Sequence, residues 1–413
     1  MHFGGDGQLQ VCDFAEEFIA FLQGLEAKDK RTELIIAGDT FGFWELTTIE
    51  GTAQLDEIIK HHTRIFEQFR RTGEKVKITL MVGNHDYDLA CYPEFVGMLK
   101  AYNINLDVSL NLVREIKGRK IWIEHGQQID PYNAASDYGN KNALPSGFFI
   151  TESLVAGASR YSVFGASDWL KDIRSVDVRQ IPDWLVSNYF YNEMNIFLRW
   201  LLLPFLFLLT ITAIALLAQA LQLVGLFDAN ILLENRFVRG LGQAGDMASM
   251  AVWFFVFVVS IPLYLIYRDI RGTLSRMQIF PAYKSAPTET ANNIYLDRAR
   301  LVFEENPEVC AYVFGHTHDA FLVAEPGGRA IINTGTWLKI LKRVSVRFGL
   351  LPGVYYPTFR LNYFRIYPEG ERVAVEYVEI PKEPMEKLTL LQRFLIIGRR
   401  PEPGKPIPAK TVL

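Results

Sequence analysis

The sequence predicts an α/β domain with mainly parallel strands at its centre, interrupted by an apolar insertion that forms a two-helix membrane hairpin. Three observations carry this reading. Short apolar runs alternate with amphipathic helical patterns over residues 1–140, two long uncharged stretches follow, and the alternation returns near residue 296.

DFAEEFIAFLQGLE at 13–26 places Phe14, Phe18, Phe21, Leu22 and Leu25 on one helical stripe. ELIIAGD at 33–39 reads as a buried strand ending in a turn, LDEIIKHHTRIFEQFRR at 55–71 as one amphipathic helix, and KITLMVGN at 77–84 as the next strand. KIWIEHG at 120–126 is a further strand running into a turn. Strands separated by helices imply an α/β layer, and such sheets carry their sites at the carboxyl ends of strands. After the insertion, NIYLDRARLVFEE at 293–305 is helical, while VCAYVFGHTHD at 309–319 and RAIINTGTW at 329–337 are strand-and-turn segments. RVSVRFG, FRLNYFRIY and RVAVEYVEI show antiparallel alternation, and residues 396–413 are expected to form a flexible, proline-rich tail. The α/β domain therefore spans 1–140 and 296–395, with the insertion at 141–295.

Within the insertion, Trp200 to Phe227 and Met247 to Tyr267 contain no charged residue. Each run can cross about 30 Å of hydrocarbon as a helix, and membrane helices are expected at about 200–225 and 247–267. Arg179 and Arg199 precede the first run and Arg268, Arg271, Arg276 and Lys284 follow the second, whereas the intervening loop has only Arg236 and Arg239. That asymmetry places both ends of the hairpin, and the α/β domain with them, on the cytoplasmic side of a multi-pass membrane protein. A cap lying on the membrane surface and a buried core are the alternatives. The lipid bilayer is the first expected partner.

Composition narrows the partners further. With 46 acidic and 43 basic side chains the formal charge is −3, so no broad basic field exists to hold a nucleic-acid backbone. Cys12, Cys91 and Cys310 lie far apart without paired ligand spacing, as expected of separate thiols in a reducing compartment.

Four clusters share one design: ligand-type side chains where a strand pattern ends in a glycine-containing turn. They are Gly38-Asp39, Gly83-Asn84-His85-Asp86, Glu124-His125-Gly126 and Gly315-His316-Thr317-His318. Glycine permits a tight turn and keeps bulk away from a crowded site. Histidine with carboxylate suits borderline divalent ions such as Mn²⁺, Fe²⁺ or Zn²⁺. Four of the seven histidines lie in these turns, and His2 is a fifth candidate in HFG.

GD, GNHD, HG and GHTH in this order, after an N-terminal HxG and before NTGTW, resemble the calcineurin-like metallophosphoesterase family over residues 1–130 and 295–380. The resemblance implies a four-layered α/β/β/α sandwich, two divalent metal ions and hydrolysis of a phosphate ester or phosphoanhydride by metal-activated water. Mn²⁺ is the first expectation for the ions, with Fe²⁺ or Zn²⁺ as alternatives. It further implies that Asp39 bridges the two ions, that Asn84, His125 and His316 complete one, and that His318 with His2 serves the other. His85 would stabilise developing charge or protonate the leaving oxygen, and Asp86 would orient His85.

The family's first motif reads DxHxG, and here only His2-Phe3-Gly4 is present. An upstream strand ending in Asp-x-His is the first expectation, without which activity would be poor. Substitution by Asp6 or water is the second, and a catalytically defective membrane interaction protein the third.

Lesser signals are read with their alternatives. His61 and His62 are expected on a solvated helix face. Asn333 and Trp337 either support the metal-site loops or serve a plain turn and core packing. Phe41, Phe43, Trp44 and Glu45 either line a leaving-group pocket or pack a loop. GDTFGFW is similar to part of the lipid A pathway enzymes that hydrolyse UDP-2,3-diacylglucosamine, although GNHD stands where those enzymes typically have arginine in place of the histidine. A lipid-linked phosphate or pyrophosphate is therefore the first substrate expectation, before a phosphoprotein or general phosphomonoester and a nucleotide diester.

Overall fold

The computed structural model describes residues 1–4, 12–28, 31–46, 49–149, 151–152, 172, 175–176, 180–193, 224–225, 250, 254, 288–347, 351–383, 387–402 and 404–413. The chain divides into two compact units, one of 1–185, 286–345 and 353–413, the other of 186–285 and 346–352. Both uncharged runs belong to the second unit and, apart from Val224, Gly225, Met250 and Phe254, lie outside the described residues. Among the described residues no helix is long and apolar enough to cross a membrane. In the second unit, Tyr191 donates its hydroxyl to the Pro352 carbonyl at 2.7 Å.

The first unit holds the sheets. Strands β1 (Glu33–Ile36), β2 (Lys77–Met81) and β3 (Ile104–Asp107) pair in parallel in that order. A second sheet has the order β4-β5-β6-β8-β7, formed by β4 (Asn111–Ile116), β5 (Arg119–Glu124), β6 (Val309–Phe314), β7 (Phe321–Glu325) and β8 (Arg329–Asn333). Its central β5, β6 and β8 are parallel, a pairing that requires the long connections between them.

Alternation along these strands builds the layers. Ile36, Ile78, Leu80 and Ile104 face helices α1 (Ala15–Glu26), α2 (Thr52–His61), α3 (Thr63–Gly73) and α5 (Glu94–Lys100), packing with Phe18, Leu22, Ile58, Phe66, Phe69 and Leu99. A short turn of helix, α4 (Asp88–Cys91), precedes α5. The intervening residues Ile35, Ala37 and Met81 turn the other way, onto Ile121, Ile123, Ala311, Val313 and Ile332 of the second sheet. The outer face of that sheet offers Trp122, Tyr312, Phe314 and Ile331, which Tyr295, Ala299, Val302 and Phe303 cover. These last four lie on a long helix, Thr288–Glu305, which follows α6 (Ile181–Asn188) in the chain and is therefore α7. The described unit is thus a mixed α/β arrangement of helix, sheet, sheet and helix. Each buried Val, Leu, Ile or Phe contributes about 1.5–3 kcal/mol.

Two smaller sheets complete the unit. β9 (Ile340–Val344) and β10 (Val354–Thr358) form an antiparallel ribbon whose Leu341 and Tyr355 pack on Ile181 and Trp184 of α6. β11 (Leu361–Glu369), β12 (Arg372–Ile380) and β13 (Lys410–Val412) form the other, with α8 (Leu390–Ile396) between its last two strands in sequence.

Two expectations need correction. The helix expected over 55–71 is two, because His62 leaves helical dihedrals at φ −115° and ψ 32° and turns its ring inward to donate Nε2–H to the Gly4 carbonyl at 2.7 Å. His62 is buried rather than solvated, whereas His61 stays at the surface beside Glu57. The tail expected to be flexible adds β13 to β12, with Ala374 opposite Val412, and buries Leu413. Paired backbone and an apolar anchor outweigh the proline-rich composition there.

Candidate metal centre

The four strand-end turns converge. Asp39 follows β1, Asn84 and His85 follow β2, His125 follows β5, and His316 and His318 follow β6. His2 joins them because Phe3 forms a parallel bridge with Phe41, with His2 N donating to the Asp39 carbonyl at 2.9 Å and Phe3 N to that of Thr40 at 2.8 Å. Ligand atoms of His2, Asp39 and His85 lie within 4.8 Å of one another, and so do those of Asp39, His125 and His316. Asp39 is common to both groups. His318 adjoins the first, its Nε2 3.1 Å from Nε2 of His2.

The backbone is bent to achieve this. His2, Asp39, His316 and His318 all have positive φ, between 49° and 60°. Non-glycine residues rarely adopt that region, and it costs on the order of 1 kcal/mol or more for each. Glycine makes the close approaches possible: a Cβ on Gly83 would fall 2.2 Å from Asp39 Oδ1, and one on Gly38 would fall 2.4 Å from His125 Nδ1.

Hydrogen bonds fix which atoms face inward. His125 donates Nδ1–H to the Ala37 carbonyl at 2.7 Å and turns Nε2 toward Asp39 Oδ2 and Asn84 Oδ1, each 3.2 Å away. His316 donates Nε2–H to Asp130 Oδ2 at 3.1 Å and turns Nδ1 toward Asn84 Oδ1 at 2.9 Å. Asp130 also fixes the amides. Its carboxylate accepts from Asn133 Nδ2 at 2.7 Å, and Asn133 Oδ1 accepts from Asn84 Nδ2 at 3.3 Å, which leaves Asn84 Oδ1 pointing into the centre. Four electron-rich atoms therefore meet in a buried space where only a cation, proton or metal, relieves their repulsion.

Charge states agree with ligation. Burial lowers His2 well below the usual imidazole range and His318 to about 3, and it lowers His316 as well, so all three are held neutral. Burial acts the same way on His125, but the Asp39 charge and hydrogen bond outweigh it and raise that group. Burial opposes ionisation of Asp39, yet the His125 imidazole prevails and keeps it ionised well below the usual carboxylate range. Three neutral imidazoles, an ionised carboxylate and an amide oxygen suit a borderline divalent ion.

The supporting residues differ from expectation. Asp86 does not orient His85. Its carboxylate accepts backbone N–H groups from Gly83 at 2.6 Å, Thr40 at 2.7 Å and Phe41 at 3.2 Å, which ties the two turns together. Burial and the Asp39 charge push Asp86 up to about 6. The carboxylate at His85 belongs to Glu45, with Oε1 3.1 Å from Nδ1, and the Trp44 ring lies 4.6 Å from the imidazole. His85 itself falls inside the first ligand group rather than only beside it. Glu124 points away from the centre, as neighbours on a strand must, and accepts from Tyr312 and from Trp122 Nε1.

Phe41 and Phe43 are core residues, stacked at 5.5 Å, and do not line a pocket. Asn333 supports the His316–His318 turn by donating to Thr317 Oγ1 at 2.6 Å, and Trp337 packs between Phe14, Phe18 and Phe21. Asp6 lies outside the described residues. Asp130, Asn133 and the Glu45 contact were not anticipated. Only the polar run QQIDPYN after His125-Gly126 marked the first two.

No curated protein matches the chain. A family model described as calcineurin-like phosphoesterase matches residues 2–195, a span that includes His2, Asp39, Asn84, His85 and His125. The sequence motifs and the shared-aspartate geometry agree with this match, and residues 2–195 are similar to the calcineurin-like phosphoesterase family.

Proposed function

We propose that the chain is a dinuclear-metal phosphoesterase that hydrolyses a lipid-linked phosphate ester or phosphoanhydride at a membrane surface. The observation that carries the hydrolase reading is the pair of buried ligand groups sharing Asp39. Two divalent ions, with Mn²⁺ the first candidate, would supply Lewis acidity that activates water and neutralises phosphoryl oxygens. Asn84, His125 and His316 with Asp39 would hold one, and His2 and His318 with Asp39 the other. His85, braced by Glu45, is placed to donate a proton to the leaving oxygen.

The lipid reading has two supports. Trp44 and Phe148 meet edge to face at 5.8 Å beside His85, and Phe149 follows with 54% of its surface exposed, which forms an apolar wall next to the proton donor. The uncharged runs 200–227 and 247–267 would keep the catalytic unit at the cytoplasmic face of a bilayer.

The test is Mn²⁺-dependent release of p-nitrophenol from bis-p-nitrophenyl phosphate and p-nitrophenyl phosphate by the detergent-purified full chain. Asp39→Asn and Asn84→Ala should each lower it by more than about a hundredfold. Full activity in either variant, or release indifferent to EDTA, would remove the metal-centre reading. Hydrolysis of lipid extracts over nucleotides and phosphopeptides is expected, and the opposite preference would replace the lipid substrate with a phosphoprotein or a nucleotide diester.

A further inference from the structure

Helix α8 presents an apolar face to solvent although it is firmly built. Thr389 and Gln392 form a reciprocal capping box, with Gln392 N donating to Thr389 Oγ1 at 3.3 Å and Thr389 N to Gln392 Oε1 at 2.8 Å. Leu395 and Ile396 are buried beneath it. Leu390 and Phe394, at i and i+4 of the helix, are 84% and 61% exposed, and Ile397, which ends the helix at φ 24°, is 44% exposed. A helix at a water surface ordinarily turns polar residues outward, so this stripe calls for an occupant.

The charge around the stripe indicates which one. From Lys387 to Arg400 there are four cations, Lys387, Arg393, Arg399 and Arg400, and no aspartate or glutamate. Leucine and phenylalanine flanked by lysine and arginine are the composition that settles at the boundary between acyl chains and anionic headgroups.

Position agrees. Arg399 donates to the Ser345 carbonyl at 3.0 Å, just past the end of β9, and Ile181 and Trp184 of α6 pack on Leu341 of β9 and Tyr355 of β10. The same ribbon thus fastens α8 and the segment whose chain continues into the first uncharged run.

We infer that α8 is an interfacial anchor that docks on an anionic lipid surface, burying Leu390, Phe394 and Ile397 at the acyl boundary while Lys387, Arg393 and Arg400 meet headgroup phosphates. The inference rests on the chain working at a membrane, but not on its hydrolase activity. Such a contact would fix how the catalytic unit faces the bilayer.

The experiment is hydrogen exchange of peptides covering 388–397 in the full chain, measured in detergent, in phosphatidylcholine vesicles and in vesicles of phosphatidylcholine with phosphatidylglycerol, beside flotation of the same samples. Exchange slowed on the order of tenfold only with phosphatidylglycerol is expected. The protection should vanish in Arg393→Glu/Arg400→Glu and in Leu390→Ser/Phe394→Ser. Both pairs are surface changes that leave exchange elsewhere in the first unit as in the parent chain. Flotation without local protection would overturn the anchor alone, and no flotation would overturn the membrane reading with it. Protection already present in detergent, whether concentration-independent or lost on dilution, would assign the face to another part of this chain or to a second copy and equally overturn it.

Discussion

Asp130 touches no substrate-facing oxygen, yet it decides the orientation of two ligands. One carboxylate oxygen receives His316 Nε2–H and Asn133 Nδ2–H, and through Asn133 it sets which end of the Asn84 amide points inward. Asp130→Asn should therefore weaken Mn²⁺ binding about 10–100-fold, as partners of metal ligands usually do. Isothermal titration would measure this, and an unchanged affinity would mean the network is dispensable. Gly83 offers a second test. A Cβ there meets the Asp39 carboxylate at 2.2 Å, while one on the exposed helical Gly24 meets nothing within 4 Å. Gly83→Ala should abolish metal binding, whereas Gly24→Ala should add about 0.5–1 kcal/mol of stability. The candidate ligands could be read because each sits in a short motif at a strand end. Asp130, Asn133 and Glu45 could not, since what identifies them is distance to a residue remote in sequence.

At the scale of elements, Glu33 opens β1 and joins the two sheets. It accepts from Arg114 Nε of β4 at 2.8 Å and from Thr79 of β2 at 2.6 Å, and pairs with Lys77 at 3.0 Å. Burial alone would raise its pKa, but these partners outweigh burial and hold it at about 2. A carboxylate depressed in the folded state stabilises fully above its unfolded value near 4.5 and ceases to do so as pH falls through about 2. Glu33→Gln should thus cost about 1–2 kcal/mol at pH 7 after solvent screening, and this difference should close toward pH 2 in denaturant titrations. A constant difference across that window would refute the clamp. The strands themselves could be read from apolar runs, and α1 from its stripe. The break between α2 and α3 could not, because the reason for it is the Gly4 carbonyl that His62 reaches. Nor could β13, whose pairing depends on the free edge of β12.

Across the first unit, the centre is a joint between the two stacked sheets. Asp39 and Asn84 extend from β1 and β2, whereas His125, His316 and His318 extend from β5 and β6. Without a metal, the Asn84 oxygen and the lone pairs of the neutral imidazoles stand opposed across that joint, and the positive-φ residues hold local strain. A divalent ion would convert the repulsion into a bridge between the layers, so occupancy should be felt as global stability and not only as activity. An ion that binds only the folded chain adds about 2.7 kcal/mol when free metal is a hundred times Kd, corresponding to roughly 3–5 °C in Tm for a unit of this size. Differential scanning calorimetry of the full chain should show the upper transition rising with Mn²⁺ and falling with EDTA. Asp39→Asn should be insensitive to both, because the carboxylate shared by the two groups is gone. In the absence of metal, Asp39→Asn should melt below the parent near neutral pH, because a carboxylate held well below its usual range stabilises the fold there. Equal Tm values for the parent with and without Mn²⁺, at a concentration where titration shows the sites filled, would mean that the two sheets are held by their apolar interface alone.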